Sequence, residues 1–294
     1  MKIVEIGNGI VIEGVKDFDG THTFECGQCF RWTKEADGSY TGVAMERVVN
    51  IKTDTEKSTV TIHNTNLEEF HSIWFDYLDL GRDYGEIKKE LSKEVILAEA
   101  ISYGQGMRIL KQSPWELLIS FIVSANSNIP KISKSLNILS ELYGSPIEYE
   151  EKVYYAFPTL EQLEKADLEG INLCRAGYRC KYILDAIKKV QYNEINLEEI
   201  SKMDITSARK ELMKVNGVGP KVADCIMLFS MGKHAAYPVD VWVKRVTEHY
   251  FLGKDVAIKD IQAYAQEKFG ELAGFAQQYM FYYAREKGLT VANR

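Results

Sequence analysis

Lys214 to Arg245 reads KVNGVGPKVADCIMLFSMGKHAAYPVDVWVKR. Leu212 and Val215 stand one helical turn apart, so a helix from about Thr206 runs into this stretch. Asn216-Gly217-Val218-Gly219 interrupts it with a glycine-rich hairpin. Pro220 then opens a second helix, because its fixed φ suits the first helical position and its missing N–H costs nothing there. Gly217 and Gly219 allow positive φ and let another molecule approach the backbone closely. The amides of that turn, with the new helix N-terminus, form an anion site of the kind a phosphate fills. The expectation is a helix-hairpin-helix that grips a nucleic-acid backbone. Lys221 falls in the first turn of the second helix, where a cation is disfavoured by about 0.3–1 kcal/mol. The same field, with partial burial, favours a neutral and hence nucleophilic amine. Asp240 lies in the apolar frame YPVDVW. A buried carboxylate needs a partner, so it caps a following helix, faces a substrate, or does both. A surface lysine beside a capping aspartate is the plainer alternative, and spacing alone does not choose between them.

Around this stretch the chain is an ordinary globular protein. Its 294 residues, 46% apolar and 27% charged, can bury a substantial core. The opening MKIVEIGNGIVIEG alternates like a strand and carries charge, unlike a signal peptide. No stretch reaches transmembrane length. A cytoplasmic, nucleoid-associated protein without a membrane partner is expected. The five cysteines, Cys26, Cys29, Cys174, Cys180 and Cys225, are an odd number suited to reduced thiols. Cys26-x-x-Cys29 has no second pair to complete a zinc site, and no cysteine cluster follows Asp240 to hold an iron–sulfur cluster. Net charge is −6, which by itself argues against nucleic acid. Residues 171–245, however, carry 13 Lys/Arg against 8 Asp/Glu, a local excess of +5.

Residues 1 to about 65 read as strands. Ile3–Ile6 and Ile10–Glu13 flank Gly7-Asn8-Gly9, a hairpin signal, and further runs cover 39–43, 47–52 and 59–63. From about Leu67 the period becomes helical. Ser113-Pro114-Trp115-Glu116 carries the pattern of a capping box ahead of a buried helix to Val123. Ser124-Ala125-Asn126-Ser127-Asn128 ends it, and another helix begins around Pro130. Asparagines at such a junction commonly cap helices. Two helical patterns fill 256–287, with Gln277 and Phe281 four apart and so on one face. Cys225, four beyond Lys221, likewise shares its face.

GVGPKVADC followed by PVDVW resembles the core of the helix-hairpin-helix DNA glycosylase superfamily, and most of all its Ogg-type 8-oxoguanine DNA glycosylase/AP lyases. Further similarity lies near 26–32, 124–131, 177–182 and 275–281, in the family's order. The resemblance implies that Lys221 attacks the sugar C1′ and that Asp240 assists. In CGQCFRW it implies that the Gly27 carbonyl accepts the N7–H of 8-oxoguanine, a proton guanine lacks; a bulge glycine is the plainer meaning. It places Cys225 and Phe281 against the faces of the extruded base and Gln277 at its Watson–Crick edge, where plain core packing is the commoner meaning of such residues. It assigns Asn126 to the orphaned cytosine, Tyr178 to a wedge in the duplex, and Arg179 to the estranged base. Lys131 stands about where the family has an arginine, and lysine cannot make its planar bidentate contact. Ser127 replaces a typical asparagine. Trp242 replaces a histidine that touches DNA phosphate, and an indole carries no charge.

The expected architecture is α+β: a small antiparallel β-sheet N-terminal domain packed on two mostly α-helical lobes that contain the helix-hairpin-helix. The divisions are 1–100 for the sheet domain with its helices, 101–200 for a helical domain, and 201–294 for the catalytic lobe and C-terminal helices. The expected activity is excision of 8-oxoguanine from duplex DNA through a lysine imine, then β-elimination at the abasic site, by a monomer that needs no cofactor and no catalytic metal. A glycosylase for another damaged base, a non-catalytic DNA-binding module and a protein-interaction domain are the alternatives.

Overall fold

The structure is a computed structural model, and it describes residues 1–288. Six strands form one antiparallel sheet: β1 (Lys2–Ile6), β2 (Gly9–Glu13), β3 (Trp32–Lys34), β4 (Tyr40–Ala44), β5 (Arg47–Asp54) and β6 (Thr59–His63), in the order β1-β2-β6-β5-β4-β3. Alternation decides the inner face. Ile10 lies opposite Ile62, and Ile12 opposite Val60. Ile51 meets Ile62 from the other side. All five are buried against Phe18, Phe24, Phe70 and Trp74. Each such side chain contributes about 1.5–3 kcal/mol on leaving water. The runs expected as strands are present; β3 adds an edge that the sequence did not signal.

Val43 and Val48 pack behind the sheet on Tyr149. Tyr149 belongs to a second hairpin, β7 (Pro146–Tyr149) with β8 (Lys152–Tyr155), inside the region read as helical. Its turn is Glu150-Glu151, at φ +47° and +61°. Turns with two successive positive φ values are normally advertised by Asn-Gly or Asp-Gly, and two glutamates hide this one.

The helices used below are α1 (Pro114–Ser124), α2 (Ile129–Tyr143), α3 (Cys180–Gln191), α4 (Ile205–Leu212), α5 (Pro220–Ser230), α6 (Val241–Thr247), α7 (Ile258–Phe269) and α8 (Ala273–Lys287). α1 starts at Pro114, but the expected capping box does not form: Ser113 makes no side-chain cap bond. Glu116 instead stands 3.8 Å from Arg31 of the sheet domain, and burial raises its carboxyl above the usual range. Asn128 caps α2, accepting from the Lys131 amide at 3.1 Å. Phe121 of α1, Ile183 of α3, Ile226 of α5 and Met280 of α8 lie in one continuous core. α8 is drawn against α5 at Gly274, whose amide donates to His234 O at 2.7 Å. A Cβ there would fall 2.4 Å from Leu228 Cδ1. Among the described residues no helix is long and apolar enough to cross a membrane. All five cysteines are free and buried.

Candidate active site

The hairpin is held from behind by α3. Asp185 Oδ2 accepts from the Asn216 amide at 2.8 Å, and Lys189 Nζ donates to Lys214 O at 2.7 Å. Gly217 has φ +84°, and a Cβ on it would lie 2.4 Å from the Tyr182 ring. Both conformation and space therefore require glycine here. Gly219 differs from expectation. Its φ of −94° with ψ −178° is extended backbone open to any residue, and nothing lies within 4 Å of its Cβ position. What Gly219 leaves is open space in front of an uncapped helix, because no side chain caps α5.

Lys221 is half-buried in the first turn of α5, its Nζ 5.2 Å from the centre of the Phe121 ring. Cys225 lies one turn further, fully buried, its thiol pushed up to about 11 by burial while the Lys221 charge pulls it back. The thiol therefore stays protonated and acts as a small apolar wall. Asp240 is the N-cap of α6: its Oδ1 accepts from the Trp242 amide at 3.0 Å and the Val243 amide at 2.8 Å. Burial raises this carboxyl above the usual carboxylate range, while the Val243 amide and then the charge of Lys221 pull it back. Lys221, Cys225 and Asp240 thus share one electrostatic neighbourhood. Trp242 is half-buried, with the Arg245 guanidinium 5.9 Å from its ring centre.

From the sheet domain comes Gly27, at φ +86°. A Cβ there would meet Phe281 Cε1 at 3.2 Å and Arg285 Nη1 at 3.1 Å. The carbonyls around it are taken. Glu25 O accepts from Arg285 Nη2 at 2.5 Å, Cys26 O from Gln278 Nε2 at 2.9 Å, and Gln28 O from Gln112 Nε2 at 2.8 Å. Gly27 O alone of these four has no partner among the described residues. Gln277 is only 4% exposed, and its Oε1 is also unpartnered. Leaving such an atom buried and unpaired costs about 1–3 kcal/mol. The structure so brings Gly27 against Phe281, on the helix that carries Gln277. Phe30, three residues on, stacks edge-on against Phe121 with centroids 5.6 Å apart, which leads back to Lys221.

A second cluster lies at the start of α3. Tyr178 is 54% exposed and meets Tyr182 edge-on at 5.9 Å, so this tyrosine stands over the ring that packs under Gly217. Arg179 donates to Ala125 O at 2.7 Å, to Asn126 O at 2.8 Å and to Ala176 O at 3.1 Å. It holds the Asn126 turn in place while its guanidinium lies 4.5 Å from the Tyr178 ring centre. Asn126 is exposed at φ +51°. Lys131 is exposed in the first turn of α2.

Residues 10–118 match the family model of the 8-oxoguanine DNA glycosylase N-terminal domain, and residues 119–275 that of the HhH-GPD superfamily of base excision DNA repair proteins. The chain belongs to the HhH-GPD superfamily. It is 31% identical to the N-glycosylase/DNA lyase OGG1 of Arabidopsis thaliana over 275 residues, covering 88% of this chain and 75% of that one. A probable N-glycosylase/DNA lyase of Methanothermobacter thermautotrophicus is 31% identical over 213 residues, 66% of this chain and 68% of the other. Among solved structures, the Clostridium acetobutylicum 8-oxoguanine glycosylase/lyase, in complex with double-stranded DNA containing cytosine opposite 8-oxoG, superposes with a TM-score of 0.95. It is 46% identical over 98% of this chain and 99% of that one.

Four residues of this HhH-GPD protein escaped the sequence reading. Gln28 locks the Gly27 loop: its Nε2 donates to Arg108 O at 2.7 Å, and its Oε1 accepts from the Leu110 amide at 2.9 Å. Gln278 and Arg285 tie the same loop to α8. Asp224, buried beside Cys225, ties α5 to its neighbours, accepting from Arg209 of α4 at 2.7 Å and from Gln262 of α7 at 2.6 Å. Burial nonetheless lifts its carboxyl to about 6. Only Arg285 carried a local signal, standing at i+4 from Phe281 and i+8 from Gln277.

Proposed function

We propose that this chain is a bifunctional DNA repair glycosylase that turns 8-oxoguanine out of duplex DNA, excises it through a covalent lysine intermediate and cuts the abasic strand by β-elimination. The observation that carries the reading is the placement of Lys221. Its amine sits at the head of an uncapped helix, beside a protonated thiol and within the electrostatic reach of a buried carboxylate. A base inside the stack is out of reach, so the damaged nucleotide is rotated out towards the site assigned to Gly27, Cys225, Gln277 and Phe281. The Lys221 amine bonds to C1′ as the C1′–N9 bond breaks, and the electron pair leaves with the base, which takes up a proton. Asp240 stabilises the positive charge that develops on the sugar and accepts the amine proton. The opened sugar then forms an iminium, which acidifies C2′–H. Loss of that proton expels the 3′ phosphate.

Gly27 O supports the choice of lesion. A fixed, unpaired acceptor repels the N7 lone pair of guanine and receives the N7–H of 8-oxoguanine. The hairpin amides at Gly217 and Gly219 hold phosphate, Tyr178 fills the gap left in the stack, and Asn126, Lys131, Arg179 and Trp242 contact the DNA around it. The protein acts as a monomer on cytoplasmic, nucleoid-associated DNA.

Borohydride trapping on an 8-oxoguanine:cytosine duplex tests this. The wild type is expected to form a covalent cross-link, and Lys221→Gln to lose both cross-link and base release while still binding the duplex. Full cleavage by Lys221→Gln would remove the assigned nucleophile. Repeating the assay with the other three opposite bases is expected to show shallow cytosine preference. Strong selectivity, undiminished in Lys131→Ala, would contradict the role given to that residue.

A further inference from the structure

Three atoms on the Gly27 loop and the helix packed against it have no partner among the described residues: Gly27 O, Gln277 Oε1 and Arg285 Nη1. The first two are acceptors, and the third is a cationic donor. Gln277, Phe281 and Arg285 are spaced four apart on α8, so they line one face. The other nitrogens of the Arg285 fork are engaged. Nη2 donates to Glu25 O at 2.5 Å and Nε to Glu286 Oε1 at 2.9 Å. The guanidinium is thereby fixed in its plane, its centre 5.5 Å from the ring centres of both Phe281 and Tyr282. Nη1 is left buried, 3.1 Å from the Cβ position of Gly27. Tying down Glu25 O needs only one N–H, and a neutral donor would do that without stranding a buried cationic nitrogen.

We infer that Arg285 is a base-contacting specificity residue, whose Nη1 donates to a carbonyl oxygen of the extruded base beside the N–H received by Gly27 O. The inference rests on the reading of the site as an 8-oxoguanine pocket. The imidazole edge of an 8-oxopurine presents an N–H with a carbonyl oxygen next to it. Gly27 supplies the complementary acceptor in its carbonyl, and Arg285 the complementary donor in Nη1, which lies 3.1 Å from the Cβ position of Gly27. The carbonyl of Gly27 rejects a base without the N–H, and the arginine binds the base that has both. The fork also holds Glu25 O, two residues before Gly27, so one side chain makes half of the contact and steadies the loop that carries the other half.

Two variants separate contact from scaffold. Arg285→Met keeps an unbranched apolar stem against Phe281 and removes every donor. Arg285→Lys can still donate to Glu25 O but has no second planar nitrogen to present. Single-turnover base release from an 8-oxoguanine:cytosine duplex is compared with strand cleavage of a preformed abasic duplex, which has no base to contact. For Arg285→Met the loss on the lesion duplex is expected to exceed the loss on the abasic duplex by about 10- to 100-fold, the worth of a hydrogen bond to a charged group. Arg285→Lys is expected to recover the thermal midpoint while keeping most of that difference. Equal losses on both duplexes would make Arg285 a scaffold residue and overturn the contact, as would no loss on either. Wild-type protein that cuts the abasic duplex but releases no 8-oxoguanine would instead sink the substrate reading, and the contact with it.

Discussion

Asp240 does two things with one side chain. Its Oδ1 caps α6 through two amides, and its charge lies in the neighbourhood of Lys221. Asparagine caps a helix about as well as aspartate but carries no charge. Asp240→Asn should therefore change stability by less than about 1 kcal/mol while slowing base release by about 100-fold or more. Thermal melting and single-turnover kinetics on the same samples check this; a matching collapse of both would reduce Asp240 to a cap. The pH profile carries a further sign. Burial raises the Asp240 carboxyl above the ordinary value of 3.8, and only its ionised form can stabilise a cationic sugar. Activity should fall with acidification through a point above that ordinary value, and Asp240→Asn should lack this limb.

At the scale of the element, the hairpin contains two glycines with different reasons to be there. Gly217 combines positive φ with the Tyr182 ring at 2.4 Å from a Cβ, whereas Gly219 is extended and faces open space. Gly217→Ala should destabilise the fold by about 1–3 kcal/mol through strain and overpacking. Because Tyr182 also touches Tyr178, the wedge should shift with it. Gly219→Ala should alter stability by less than about 1 kcal/mol, yet weaken duplex binding, because its methyl would occupy the space in front of the α5 amides. Melting curves beside fluorescence anisotropy with a lesion duplex distinguish the two. Normal binding by Gly219→Ala would show that the backbone of the hairpin does not approach DNA there.

For the whole molecule, buried ionisable groups set the response to acid, and they oppose one another. His234 is stacked on Phe275 with centroids 5.0 Å apart, and its imidazole is pushed down to about 4, first by burial and then by the Arg82 charge. A depressed value means that the unfolded chain binds the proton first. The contribution is present above about pH 6.5 and is lost as pH falls towards 4. Asp224, lifted to about 6, and the raised Asp240 and Glu116 act in the other direction: their contributions are present at low pH and lost as pH rises. A comparison with His234→Phe isolates the first effect. Between pH 7 and pH 5 the wild type should lose about 1–2 kcal/mol more than the variant, after allowance for the partial exposure of the ring. Denaturant titrations at the two pH values measure it, and parallel losses would contradict the burial assigned to His234.

The residues that the sequence alone made legible are those whose signal is short-ranged. Pro220 after two glycines, the alternation of Ile10, Ile12, Val60 and Ile62, and Asp240 ahead of a helix each depend on neighbours within a turn or a pleat. The same holds for the i+4 pairs Lys221/Cys225 and Gln277/Phe281. Local sterics and periodicity determine these whatever the rest of the chain does. Where the backbone makes an uncommon choice with common residues, as at Glu150-Glu151, the local signal fails. Long-range pairing hides the rest. Glu116 has the spacing of a cap but turns to Arg31, 85 positions away in the chain. The carbonyls on either side of Gly27 are occupied from α8, 252 and 260 positions later, and from Gln112. Sequence determined that a lysine would stand at the head of a helix behind a hairpin. Only the tertiary structure decided that Arg285 would pack against Gly27 and that Gly27 O and Arg285 Nη1 would both be left without partners among the described residues, because a hydrogen bond left unmade is a property of everything packed around it.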